Sequence, residues 1–236
     1  MKRHRLTALF LILLPLTGLQ AQTDSLISEA ALVHYSGQTG RAGELIRTLE
    51  TASSSAEGKE LTELFLYRGL LHIDLKENEK ASSVLAEGIE YCSLQYEEGG
   101  DLFYLVQGAL LKSHWMLLQK TGVLIRTGGE IQEMTDLALR REPDNFTARL
   151  LSAQGLINAP PLFGGDPEQA AELLLDSENL AVSDAHRFDL YLTLADARRK
   201  KKVWDEASLW CEEALNLFPD NPSALEMKEL IRKKKK

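Results

Sequence analysis

The sequence predicts an all-helical protein built as a row of antiparallel helix pairs. Three observations predict it. Apolar residues recur at three- and four-residue spacing along most of the chain, the mark of amphipathic helices. Alternating β-branched or aromatic runs are few, and no Asn-Gly or Asp-Gly hairpin turn appears. The helical patterns are also cut at short intervals by polar, Gly- or Pro-containing turns. With 236 residues, 44% hydrophobic and 26% charged, the chain can bury a sizeable core as one domain or one stack of repeats.

The first segment reads differently. MKRHR is basic, LTALFLILLPLTG is apolar with Pro15 in it, and LQA ends on the small Ala21. This is the order of a secretory signal peptide, with cleavage expected after Ala21. The apolar run is shorter than the ~20 residues that span a bilayer, and no later stretch is apolar enough. The expectation is a leader over 1–21 and one exported domain over 22–236, periplasmic or secreted, not an integral membrane protein. No cysteine stands near the cleavage site, so no lipid anchor is expected. Cys92 and Cys211 fall within separate helical patterns and are expected as two buried thiols.

Charge narrows the partners. The net charge is −8, and loss of Lys2, Arg3 and Arg5 with the leader brings it to −11. Such a chain repels nucleic acid. Two basic runs oppose the trend, RRKKK at 198–202 and RKKKK at 232–236. They read either as solvated helix ends or as contacts for an anionic surface or an acidic partner.

The clearest pair is FDLYLTLADARRKKKVWDEASLWCEEALNLFPDNP. It resembles the tetratricopeptide repeat, a family of about 34-residue helix pairs with small residues at positions 8, 20 and 27 and large ones at 4, 7 and 24. Counting from Phe188, Tyr191 takes position 4, Leu194 7, Ala195 8, Ala207 20, Cys211 24, Ala214 27 and Pro219 32; Arg198 replaces the usual aromatic at 11. Small residues let the two helices approach, and the large ones fill the space beside them. From Thr62, the residues Phe65, Gly69, Ala81, Leu85 and Gly88 keep the frame. From Lys112, Trp115, Leu118, Ala138 and Pro143 keep it, and from Ala148, Leu151 and Gly155 do. A weaker pair covers 24–55. The repeats are therefore placed at about 24–55, 62–95, 112–145, 148–184 and 188–221. A cap helix follows over 222–235, as a terminal repeat without a neighbour requires. The resemblance implies a right-handed superhelical array, an α-solenoid.

NAPPLFGGDPEQA, from Asn158 to Ala170, interrupts the fourth pair with three extra residues. Pro160 and Pro161 stop one helix, and Asp166, Pro167 and Gln169 carry the signals that start the next. No Gly-Lys-Ser/Thr follows, and Asp166 and Glu168 would repel an anion, so a joint is expected here rather than a phosphate loop. The loop also resembles stretches in exported bacterial repeat proteins, including the T-component family of TRAP-type solute transporters. Members of that family are typically lipoproteins, and this chain has no lipobox cysteine.

No catalytic or metal motif stands out. His4, His34, His72, His114 and His186 are scattered, with no HExxH and no Gly-x-Ser-x-Gly. No enzyme activity, cofactor or metal is expected. The resemblance implies a concave face built from the first helix of each pair, suited to an extended or helical segment of another protein. On it fall Leu66, Leu70, Met116, Leu156, Asp189, Leu192, Asp196 and Arg199. The leucines either meet a partner or support neighbouring helices. The family's carboxylate clamp needs lysines and asparagines there, so acidic chaperone tails are not expected to bind. Leu162 and Phe163, on the loop, are a second candidate surface. Two functions result: an exported scaffold binding a protein or peptide, or a small-ligand-binding or accessory component of a solute transporter.

Overall fold

A computed structural model describes residues 10–235. Eleven helices are found among them: α1 (Phe10–Tyr35), α2 (Ala42–Ser53), α3 (Gly58–Asp74), α4 (Asn78–Gly99), α5 (Leu102–Leu117), α6 (Thr121–Arg141), α7 (Phe146–Asn158), α8 (Pro167–Leu175), α9 (Asp184–Lys200), α10 (Trp204–Leu217) and α11 (Pro222–Lys235). No strand occurs among the described residues. Each helix packs on the next in sequence, so the core runs along the chain as a series of linked clusters. The odd-numbered helices also touch one another in order, α1 on α3, α3 on α5, and so on to α11.

Small residues set the crossings. A methyl on Gly69 would lie 2.5 Å from Leu85 Cδ2, and one on Gly88 would lie 2.8 Å from Phe65 Cβ. Ala81, Ala195, Ala207 and Ala214 have no exposed surface. Cys92 and Cys211 are free and buried, and burial pushes both thiols up to about 11. They serve as small apolar fillers.

The same turn joins α3 to α4 and α9 to α10. Lys76 (φ 61°) and Lys202 (φ 62°) both adopt the left-handed conformation, each fourteen residues after its frame origin at Thr62 and Phe188. Lys76 N donates to Ile73 O and Glu77 N to His72 O; Lys202 N donates to Arg199 O and Val203 N to Arg198 O, at 2.9–3.0 Å. This closes the free carbonyls at each helix end. The polar residue at position 11 spans each turn. His72, buried, meets Glu77 at 2.7 Å, and Arg198 meets Glu206 at 2.9 Å and Glu168 at 2.7 Å. The missing aromatic at Arg198 is thus replaced by a guanidinium that ties three helices.

One expected boundary is corrected. The segment 112–145 is not itself a helix pair; the pair is α5 with α6, from Leu102 to Arg141. Trp115 lies in the last turn of α5, and Leu118 follows its end. α6 has 21 residues against 14 in α10, so a fixed count back from Pro143 lands inside α5. At the other end, α1 runs unbroken through Ala21, the expected cleavage point, while residues 1–9 lie outside the described residues. Its first buried side chains among those described are Thr23, Ile27 and Ala30. No helix among the described residues is long and apolar enough to cross a membrane.

Candidate functional site

The first helix pair and the last one meet. Gly37 (φ +68°) follows α1, and a methyl there would lie 2.9 Å from Pro222 Cδ and 3.0 Å from Asp220 O. Glycine is needed both for the backbone angle and for the approach. Asn221 works in two directions. Its Nδ2 donates to Tyr35 O at 2.8 Å, while its Oδ1 accepts from Ser223 N and Ala224 N and caps α11. Tyr35 Oη donates to Asp189 Oδ2 at 2.7 Å, across 154 residues of sequence. The Tyr35 ring stacks on Phe218 at 5.3 Å and meets Phe188 edge-on at 5.4 Å. One residue earlier, His34 Nδ1 lies 2.8 Å from Asp74 Oδ2 at the end of α3. The row of odd helices therefore bends until its beginning touches its end.

This closure gathers ionisable groups from several helices. Burial pushes the Asp189 carboxyl up to about 6, against the opposing pull of the Tyr35 hydrogen bond and the charge of His34. Burial and the neighbouring Asp189 raise the Tyr35 phenol well above its ordinary range. Tyr67 rises through burial, Glu63 and Asp189, and Glu63 through burial, Asp24 and Glu60. His114 is held down to about 4 by burial, with His34 adding to it. These fields connect α1, α3, α5 and α9. Asp189 and His114 are half-buried, with protein on most sides. Desolvation disfavours charge there. No group of three His, Cys, Asp or Glu that could hold a metal ion occurs among the described residues.

The expected site residues divide into five groups. Leu66 and Leu70 are buried in a core cluster with Leu85, Cys92 and Leu111. Met116 and Leu156 are half-buried against neighbouring clusters. Asp189 belongs to the closure, and Leu192 packs in the same cluster as Tyr35, Phe188 and Phe218. Asp196 and Arg199 pair with each other through Nε at 2.8 Å. Leu162 and Phe163 stand apart, 89% and 69% exposed. His34, Tyr35, Tyr67, His114 and Asn221 carry no site signal in the sequence. No local pattern marks them, because their partners lie on other helix pairs.

The loop holding Leu162 and Phe163 is tightly built. Pro161–Phe163 forms one helical turn, and Gly164 (φ +86°) ends it. A methyl on Gly165 would lie 1.8 Å from Ala159 O, so only glycine fits this approach. Asp166 N donates to Leu156 O at 2.9 Å, and the Asp166 carboxylate accepts from Glu168 N and Gln169 N, capping α8. The donors at this helix start are spent on Asp166, so the stretch is built as a joint. Gly164 supplies the unusual backbone angle and Gly165 the close contact.

No known family model matches this chain, and no curated protein matches it.

Proposed function

We propose that this chain is an exported, non-enzymatic scaffold of the tetratricopeptide type. Its helix pairs wind into a right-handed superhelix, and the inner face takes a segment of another protein or peptide in the cell envelope. The observation that carries this reading is the unbroken row of odd helices, bent until Tyr35 meets Asp189. Of the apolar residues expected on that face, Met116, Leu156 and Leu192 keep partial exposure and can meet a peptide laid along it, while Leu66 and Leu70 are buried in a core cluster and support neighbouring helices. The polar groups at its centre are committed to holding helices together, as Tyr35 holds Asp189 and His34 meets Asp74. Spent groups of this kind support binding over catalysis. The basic leader and small-residue boundary at Ala21 support export.

A photo-reactive residue placed at Tyr67 or Leu192 tests the reading in cells. A discrete adduct with one other polypeptide supports it. The absence of any adduct from inner-face positions, with adducts from an outer position such as Leu209, contradicts it.

A second reading is kept because surrounding protein desolvates both Asp189 and His114. Desolvated polar groups of this kind suit a small organic ligand, as in an accessory component of a TRAP-type transporter. Native mass spectrometry of the purified chain separates the two: a retained small molecule favours the second reading. A neighbouring gene encoding such a permease would do the same.

A further inference from the structure

Consecutive helices of the array run in opposite directions, so the turns after α3, α5, α7 and α9 share one edge. Contacts between neighbouring turns agree with this. Gln119 Nε2 donates to Ser82 Oγ at 3.0 Å, and Glu168 at the start of α8 reaches Arg198 at 2.7 Å and Lys201 at 3.9 Å. The end of α11 arrives at the same edge, because Ile231 is buried in one cluster with Ala195 and Ala207. Two basic runs thirty residues apart in sequence are thereby brought side by side. Lys200, Lys202, Lys233 and Lys234 are all exposed, and none forms a salt bridge among the described residues.

The neighbouring loop adds Leu162 and Phe163, and the turn beyond it adds Leu117 and Ile125, at 72% and 79% exposure. The acids nearest the basic runs and the loop are occupied, while Glu79 at the start of α4 is exposed. Glu168 is held by Arg198 and Lys201, Glu206 by Arg198, and Glu130 by Lys112 and Arg126, while Asp166 caps α8. The opposite edge is acidic, with Asp101, Glu142, Asp144, Asp176, Glu178 and Asp220 near its turns. In a chain of net charge −8, Lys200, Lys202, Lys233 and Lys234 bring four unpaired positive charges to one end of this edge, while Arg140 and Arg141 stand exposed at the end of α6 on the opposite edge.

We propose that this edge docks on an anionic phospholipid surface. Leu162 and Phe163 enter the boundary between headgroups and acyl chains, and the four lysines meet the phosphates. Three features favour lipid over an acidic protein. The exposed apolar side chains sit at a loop tip and at the α5–α6 turn. Lysine is depleted in protein interfaces, while lysine with leucine and phenylalanine is the composition of helices and loops that lie on membranes. Lys202 also occupies a left-handed position that glycine would fill without strain, so its charge is kept where the backbone alone would choose otherwise. The proposal goes beyond the inner-face reading and does not depend on it.

The chain from Gln22 to Lys236 retains Thr23, Ile27 and Ala30, the first packed side chains of α1. It should float with phosphatidylcholine vesicles that contain phosphatidylglycerol and not with phosphatidylcholine alone, and added salt should release it. The combined variant Lys200→Gln, Lys202→Gly, Lys233→Gln and Lys234→Gln should lower partitioning on the order of a hundredfold. The Lys202→Gly change should leave Tm equal or higher, which separates lost binding from lost folding. Leu162→Ser with Phe163→Ser should lower partitioning by about tenfold at unchanged Tm. Equal flotation with both vesicle types, or flotation with neither, overturns the proposal. So does retention on immobilised polyglutamate without vesicle binding, which would assign the edge to an acidic protein instead.

Discussion

The closure around Tyr35 and the loop around Gly165 are both turns packed against a neighbour, yet they are held in opposite ways. The loop is local: its bonds run among Leu156, Ala159, Pro160 and Asp166, and it presents Leu162 and Phe163 to solvent. The closure is remote: Tyr35 and Asn221 join residues more than 150 positions apart, and their polar atoms are withdrawn from water. A local joint can be changed without affecting the array as a whole. A remote one decides whether the array is open or closed.

Mutations should separate the two. The largest effect is expected at Tyr35. Tyr35→Ala removes an aromatic that packs on both Phe188 and Phe218 and leaves Asp189 without its donor, at a cost of about 3–5 kcal/mol. Chemical denaturation should show this, together with faster amide exchange in both α1 and α9. Unchanged exchange in α9 would mean the two ends are independent.

Gly165→Ala should come next. The backbone must move to admit the methyl, costing about 1–3 kcal/mol. Exchange should quicken around α7 and α8 and stay unchanged at Tyr35. Spread of the effect to α1 would erase the distinction between local and remote joints.

The third effect depends on pH. Asp189 has its carboxyl raised to about 6, so it is destabilising when ionised, and that cost is relieved as pH falls from above 6 toward its unfolded value. His114 is depressed to about 4, so it stabilises the fold while neutral, and this contribution is lost as pH falls from about 6.5 through 4. The two oppose each other over the same window. Asp189→Asn should raise stability above pH 6 by about 1–3 kcal/mol and lose that gain near pH 4. His114→Gln should lessen the acid-side loss. Parallel pH profiles for wild type and both variants would contradict the buried placement of these groups.

The smallest effects belong to the loop surface. Asp166→Ala should cost about 1 kcal/mol through the lost cap, and Leu162→Ser with Phe163→Ser should stay within about 0.5 kcal/mol. A large loss in the second variant would place the tip in the core.

What was legible in the sequence follows the same division. Helix pairs, the cap by Asp166, the tight packing at Ala207 and Ala214, and the separate buried thiols all depend on neighbours within a few turns of chain, and periodicity and capping patterns report those. The third pair was misplaced because α6 exceeds α10 by seven residues, and a fixed repeat length carries no record of an insertion. At the candidate site, Asp189 and Leu192 were picked out by their frame position, but Tyr35 was not. Tyr35, His34, His114 and Asn221 acquire their roles from helices far away in sequence. The meeting of the two basic runs was hidden for the same reason: only the packing of Ile231 beside Ala207 brings them together.

The central claim is that the ends of the helix row close through Tyr35 and Asp189. A double-mutant cycle at neutral pH with Tyr35→Phe and Asp189→Asn tests it most directly. Closure predicts non-additive stability changes, with a coupling on the order of 1–2 kcal/mol for a buried hydrogen bond to a charged group. Strictly additive changes would mean that Tyr35 and Asp189 do not meet, and that the row is open.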